Sequence, residues 1–214
     1  MIKFPLKNQL VESLKKAITA ISPLSGESES AFLNAWKQWK TPKDFFLVKE
    51  NTVSDYIYFI EKGVARIYYY KNARPPARSG TNGENPSGRE KEITEWLALD
   101  QQFFLSITSF FQRTPSHLII QTIEPSVVYG IHHNDLMGLA DKHHDIERLL
   151  RKMVTASLIL SQIRMDSIQF ESALQRYEKL LQTSPQIVQR VPLTYIASFL
   201  GITLETLSRI RSAR

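Results

Sequence analysis

The stretch Val191 to Arg214 (VPLTYIASFLGITLETLSRIRSAR) holds the residues of this chain whose types and spacing best support chemistry on a partner. Glu205 and Arg209 stand four apart, which on a helix places them on one face. An arginine so placed can donate to guanine O6 and N7, and a glutamate can accept from cytosine N4, so the pair is able to read a G·C step. Thr206 and Ser208 flank them with hydroxyls that reach bases or phosphates. Thr203 is suited to cap a helix running from Leu204 to about Ala213, whose N-terminal turn, with Thr203 and Leu204, is expected to point into the DNA groove. Arg211 and Arg214 fit phosphate contacts, which set affinity and salt dependence rather than sequence. The competing reading of Glu205 and Arg209 is a surface ion pair worth roughly 0.3 kcal/mol.

Such a face needs a rigid mount, and the preceding residues supply one. Counted from Leu193, Ala197 stands fifth and Gly201 ninth, with Ile196, Leu200, Ile202, Leu207 and Ile210 apolar between and beyond. A small residue lets a second helix cross the first, and a glycine lets the chain turn through a conformation that side chains resist. This is the spacing of a helix-turn-helix, a DNA-binding element. An ordinary helical hairpin packed on a core is the alternative. Only four residues follow Ile210, so no β-wing is expected after the second helix.

The chain has 214 residues, enough for one large domain or two modest ones. Apolar residues make up 43%, and charge is spread rather than blocked, as in a globular protein. There is no cysteine, which excludes disulfides, thiolate metal sites and cysteine-held iron–sulfur clusters. No apolar run reaches membrane-spanning length, and MIKFPLKNQL lacks a signal-peptide core, so the expected address is the cytoplasm, with no membrane partner. A net charge of +6 suits a polyanion.

Upstream, apolar periodicity predicts a helix over 8–21. A second is predicted from an N-cap at Ser25 to about Trp39. Short β-type runs follow at 45–48, 56–60, 64–70, 93–97, 118–123 and 127–131, with Gly63 at a tight turn. They predict a small barrel or jelly roll. Residues 71–92, rich in Pro, Gly, Asn and Ser, read as a long hairpin loop whose Arg74, Arg78 and Arg89 are a secondary candidate for contacts with DNA or a partner.

A long helix is predicted over about 145–170. Ile146, Met153 and Leu160 recur every seven residues, interleaved with Leu149, Ala156, Ile163 and Phe170, which makes a seam for a partner helix. The seam either pairs two copies or packs on the chain's own barrel. Two-fold symmetry would match two half-sites on DNA. A shorter helix over about 172–181 leads into the terminal motif.

In this order of elements, and in the YIYFIEKGVARIYYY, SALQRYEKLLQTSP and IASFLGITLETLSRIR segments, the chain resembles the Crp/Fnr family of bacterial transcription regulators. The resemblance implies an α+β fold with three parts. They are a cupin-like, cyclic-nucleotide-binding-like β-roll (1–144), a dimerisation helix (145–170) and a helix-turn-helix domain lacking a full wing (171–214). It implies as partners double-stranded DNA with a pseudo-palindromic site, a second copy of the chain, RNA polymerase and a small effector.

Cyclic-nucleotide binders of that family carry Gly-Glu followed by Arg-Ala or Arg-Ser, for the ribose hydroxyl and the cyclic phosphate. Here Leu105-Ser106 and Pro115-Ser116 stand at those places, and Arg113 is two residues out of register. A buried phosphate would lack its arginine, so cyclic nucleotides are not expected. Leu105, Ser106, Arg113 and Ser116 remain the candidates for contact with an effector, if the protein has one. No cofactor, metal or catalytic set is expected. His132-His133 and His143-His144 do not have chelate spacing.

The reading is a homodimeric, sequence-specific DNA-binding transcription regulator and not an enzyme. Its rivals are a ligand sensor that acts through protein partners without DNA, and a cupin-like metalloenzyme.

Overall fold

The computed structural model describes residues 12–71 and 91–213. The 71–92 loop with Arg74, Arg78 and Arg89, together with Arg214, therefore falls almost wholly outside the described residues.

Helix α1 (Glu12–Ile21) buries Leu14 and Ile18, one turn apart on its apolar face. Helix α2 (Gly26–Asn34) starts at the predicted Ser25 cap, whose side chain accepts from the Ser28 N–H. It ends earlier than the sequence predicts: Trp36–Thr41 is a strand, β1. Trp36 and Trp39 stand three apart, a spacing that suits one face of a helix or the two opposite faces of a strand covered on both sides, as here, where they enter separate core clusters. The tie is decided by a ladder with β8 (Ser126–His132), from Trp36 opposite Ile131 to Thr41 opposite Ser126. Gly130 leaves the space that the Trp39 ring fills, since a Cβ there would lie 2.6 Å from it.

The other strands are β2 (Phe46–Val48), β3 (Tyr56–Lys62), β4 (Ala65–Lys71), β5 (Lys91–Ala98), β6 (Gln102–Phe104) and β7 (Ile119–Thr122). They form two four-stranded antiparallel sheets, ordered β1-β8-β3-β6 and β2-β7-β4-β5. This is the expected jelly roll, and each predicted β run lies on one of its strands. Gly63 makes the turn from β3 to β4 at φ +126°, with its missing Cβ only 2.1 Å from Ser126 Oγ. The sequence did not signal β6 or the short helix α3 (Ile107–Gln112) after it.

Helix α4 (His133–Lys142) leads to α5 (His144–Phe170), 27 residues and roughly 40 Å long. Its seam is divided. Ile146 and Leu149 pack into the chain's own core with Leu14, Phe32, Trp36, Phe59 and Tyr129. Further along, Leu160, Ile163 and Phe170 are 49%, 56% and 79% exposed. No described helix is long and apolar enough to cross a membrane.

The chain ends in α6 (Ala173–Thr183), α7 (Ile187–Arg190), α8 (Leu193–Leu200) and α9 (Leu204–Ser212). A capping box of Ser172 and Gln175 starts α6. These helices share one core with the roll: Tyr177, Ile187, Ile196, Leu200 and Leu207 meet Val64, Leu97, Leu99 and Ile123.

Candidate nucleic-acid interface

Helices α8 and α9 form the predicted helix-turn-helix. Ala197 is 2% exposed, and Leu207 of α9 is fully buried. Gly201 ends α8 at φ +68° and ψ 30°. The Ile202 N–H donates to Ala197 O at 3.0 Å, closing the helix end in the left-handed turn that a glycine permits. Thr203 caps α9, accepting from the Thr206 N–H at 3.2 Å.

This packing fixes which side of α9 faces outward. Thr203, Leu204, Glu205, Ser208, Arg209 and Arg211 are exposed, and Thr206 is half-buried. The candidate reading residues thus share one solvent-facing surface over the buried Leu207. Glu205 and Arg209 form no salt bridge with each other. The Glu205 carboxyl sits below its ordinary value through the Thr203 hydroxyl and its own backbone N–H, with Arg209 a smaller contributor. Both charges remain available to a partner.

Four arginines that the sequence reading did not single out position this unit. Arg164 of α5 donates to Phe199 O at 2.8 Å, and Arg176 of α6 to Leu200 O at 2.9 Å, so two guanidinium groups satisfy the last carbonyls of α8. Arg190 of α7 binds Asp100 through both oxygens, at 2.6 and 2.9 Å, and Glu124 at 2.5 Å. Burial opposes ionisation of Asp100, but bonds from Arg190 and from the Gly63 N–H outweigh it and hold its carboxyl below the usual value.

Arg66 of β4 is 1% exposed. It donates to Thr94 Oγ1 at 2.9 Å and Glu92 at 2.5 Å, and its guanidinium lies 4.2 Å from the Tyr68 ring and 3.7 Å from that of Tyr195 in α8. Ser198 of α8 accepts from the Thr94 N–H at 2.8 Å. Helix α8, on which α9 is mounted, is therefore held to the roll by buried and half-buried polar contacts as well as by apolar packing.

In the roll, Ser106 and Ser116 are both buried, and their hydroxyls lie 2.9 Å apart. Ser116 also donates to Leu118 O at 2.9 Å. Arg113 ends α3 in the left-handed conformation, donates to Ser54 O at 3.1 Å and pairs with Asp55. These three side chains are engaged with the protein itself. Leu105 instead lines a large cavity beside α5.

The histidine pairs serve local structure. His132 caps α4, His133 packs edge-on against Phe110, and His143 lies 3.2 Å from Ser28 Oγ. Among the described residues no three His, Asp or Glu side chains converge as metal ligands.

No family model matches the chain, and no curated protein matches it. Solved structures do. FixK2 from Bradyrhizobium japonicum is similar at a TM-score of 0.65 and 18% identity, covering 83% of each chain. A putative transcriptional regulator of the Crp/Fnr family from Eubacterium rectale gives 0.61 and 13%, covering 87% of this chain and 82% of that one. The c-di-GMP-responsive global regulator CLP of Xanthomonas campestris gives 0.60 and 13%, covering 88% and 91%. The chain has the fold of Crp/Fnr regulators, a cyclic-nucleotide-binding-type β-roll followed by helices.

Proposed function

We propose that the protein is a homodimeric transcription regulator of Crp/Fnr type that reads duplex DNA with α9 and is not an enzyme. The observation that carries this reading is the exposed row Thr203, Glu205, Ser208, Arg209 and Arg211 over a buried Leu207, on a helix capped at both its own start and the end of the one before it. The distal half of α5 supports the dimer: Ile159, Ile163 and Phe170 are large, apolar and more than half exposed. Pairing them across a two-fold axis would set two copies of α9 on successive turns of DNA. RNA polymerase is the expected further partner, and the cytoplasm the place of work.

The roll does not respond to a cyclic nucleotide in this reading. Ser106 and Ser116 satisfy each other, and Arg113 is committed to Asp55 and backbone carbonyls. An incoming phosphate would have to break these contacts.

Arg209→Ala and Arg211→Ala separate the roles assigned to them. Loss of the base contact at Arg209 weakens binding about 10- to 100-fold and relaxes one position of the site. Loss of the phosphate contact at Arg211 weakens binding to all sequences alike and lowers the salt slope by about one. If neither variant changes DNA binding, α9 is not the reader. The rival reading, a sensor acting through protein partners, would then stand.

A further inference from the structure

An apolar cavity of about 550 Å³ opens where the roll, α5 and the C-terminal helices meet. Trp96 and Phe103 line it from the roll, Leu150 and Leu160 from α5, Ile187 and Phe199 from α7 and α8. That volume lies within the roughly 300–1,000 Å³ typical of small-molecule sites. Among the described residues no charged side chain lines the cavity, although 22% of the chain's residues are charged. A carboxylate or phosphate would find no cation there and would lose its hydration uncompensated, so the walls select against anions. In its wall the Gln102 side-chain carbonyl already accepts from the Leu99 N–H, and the Ser157 and Thr183 hydroxyls donate to Val154 O and Lys179 O, which leaves the Gln102 NH2 and the hydroxyl lone pairs for one neutral polar group.

We propose that this cavity binds an uncharged, largely apolar small molecule. A second copy of the chain is the competing occupant, since Met153, Ala156 and Leu160 line the cavity and also stand on the heptad seam; walls supplied by the roll, α7 and α8 as well as by α5 favour a small molecule. At 100° per residue, the exposed Ile159, Ile163 and Phe170 lie roughly 150° round the helix from Leu150, Met153, Val154 and Ser157, with Ala156 and Leu160 between the two rows. The ligand would touch α5 and α8 together. Those helices are already joined by Arg164 on Phe199 O, so occupancy biases the placement of α9. This regulatory consequence rests on the DNA-reading function; the binding site does not.

The test uses the full-length protein and N-phenyl-1-naphthylamine, an uncharged apolar fluorophore. Trp96 in the cavity wall is a built-in energy-transfer donor. Saturable binding of one probe per chain is expected, with loss of tryptophan emission. The same ring system bearing a sulfonate, 1-anilinonaphthalene-8-sulfonate, should bind at least about tenfold more weakly. Ser157→Phe and Thr183→Leu fill the cavity from two sides, and each should weaken the uncharged probe by about tenfold.

Absence of saturable binding, equal affinity for the two probes, or undiminished binding in both filled variants would overturn the proposal. So would binding that appears only when dilution dissociates the dimer, since a partner subunit would then fill the cavity. Probe binding by a protein that selects no DNA would keep the site and refute its regulatory consequence alone.

Discussion

Arg66 offers a quantitative check on how the C-terminal helices are held to the roll. Its side chain is 2% exposed and bonds to Glu92 and Thr94, with Tyr68 and Tyr195 on its faces. Arg66→Ala breaks a buried ion pair, a change that costs about 3–5 kcal/mol. Glu92 is 39% exposed and can turn to water, which puts the expected cost near the lower end, at about 3 kcal/mol. Arg66→Met removes the charge but restores some three buried methylene equivalents at ~0.8 kcal/mol each, leaving a net cost of about 1 kcal/mol. Urea unfolding followed by circular dichroism at neutral pH should therefore rank the variants wild type, Met, Ala, with about 2 kcal/mol between the last two. Because Tyr195 belongs to α8, amide exchange in α8 should quicken in both variants. A Met variant as unstable as the Ala variant would refute the reasoning, for the charge itself would then carry the stability. An Ala variant within about 1 kcal/mol of wild type would refute it too, showing that the contact contributes little.

Gly63→Ala should destabilise by more than about 3 kcal/mol, because it combines an unfavourable φ with a clash on Ser126; adding Ser126→Gly should recover only the steric part, as read by thermal unfolding. Thr203→Ala removes the cap of α9 and should cost about 1 kcal/mol of local stability, seen as faster exchange of the Thr206 amide and weaker DNA binding with unchanged sequence preference. Desolvation opposes ionisation of Asp145, but bonds from the Ser25 N–H and the Ser28 and Ser25 hydroxyls prevail and bring its carboxyl from the ordinary 3.8 down to about 2. Its stabilising contribution is thus whole above pH 4 and is lost as pH falls toward 2, so Asp145→Asn should flatten that part of the acid unfolding curve.

The terminal motif was legible because its geometry makes demands that few residues meet: a small residue at Ala197, a left-handed glycine at Gly201 and an oxygen-bearing cap at Thr203. The β-roll was legible from runs of apolar and aromatic residues broken by turn formers. The α2–β1 boundary was not, because Trp36 and Trp39 read as one face of a helix, and only the partner strand β8 shows them on the two faces of a strand covered on both sides. The division of the α5 seam was equally hidden. A heptad pattern records which positions are apolar, not which of two surfaces covers them, and Ile146 and Leu149 meet the chain's own core. Arg66, Arg164, Arg176 and Arg190 were missed for a similar reason. An arginine that satisfies a distant carbonyl or carboxylate carries no local signature, although a charge inside the aromatic strand ARIYYY was the one available hint. At the effector candidates, the sequence showed that the glutamate and arginine of the family pattern were missing. It could not show that Ser106 and Ser116 close on each other.

The function proposed for this protein stands on two copies of α9 reading DNA. Selection of bound duplexes from a random pool by the purified full-length protein, with no effector added, tests it most directly. Enrichment of a two-fold symmetric site with half-sites about one helical turn apart is expected, with one position of each half-site relaxed in Arg209→Ala. No enrichment above background, or enrichment that Arg209→Ala and Glu205→Ala leave unchanged, would contradict it.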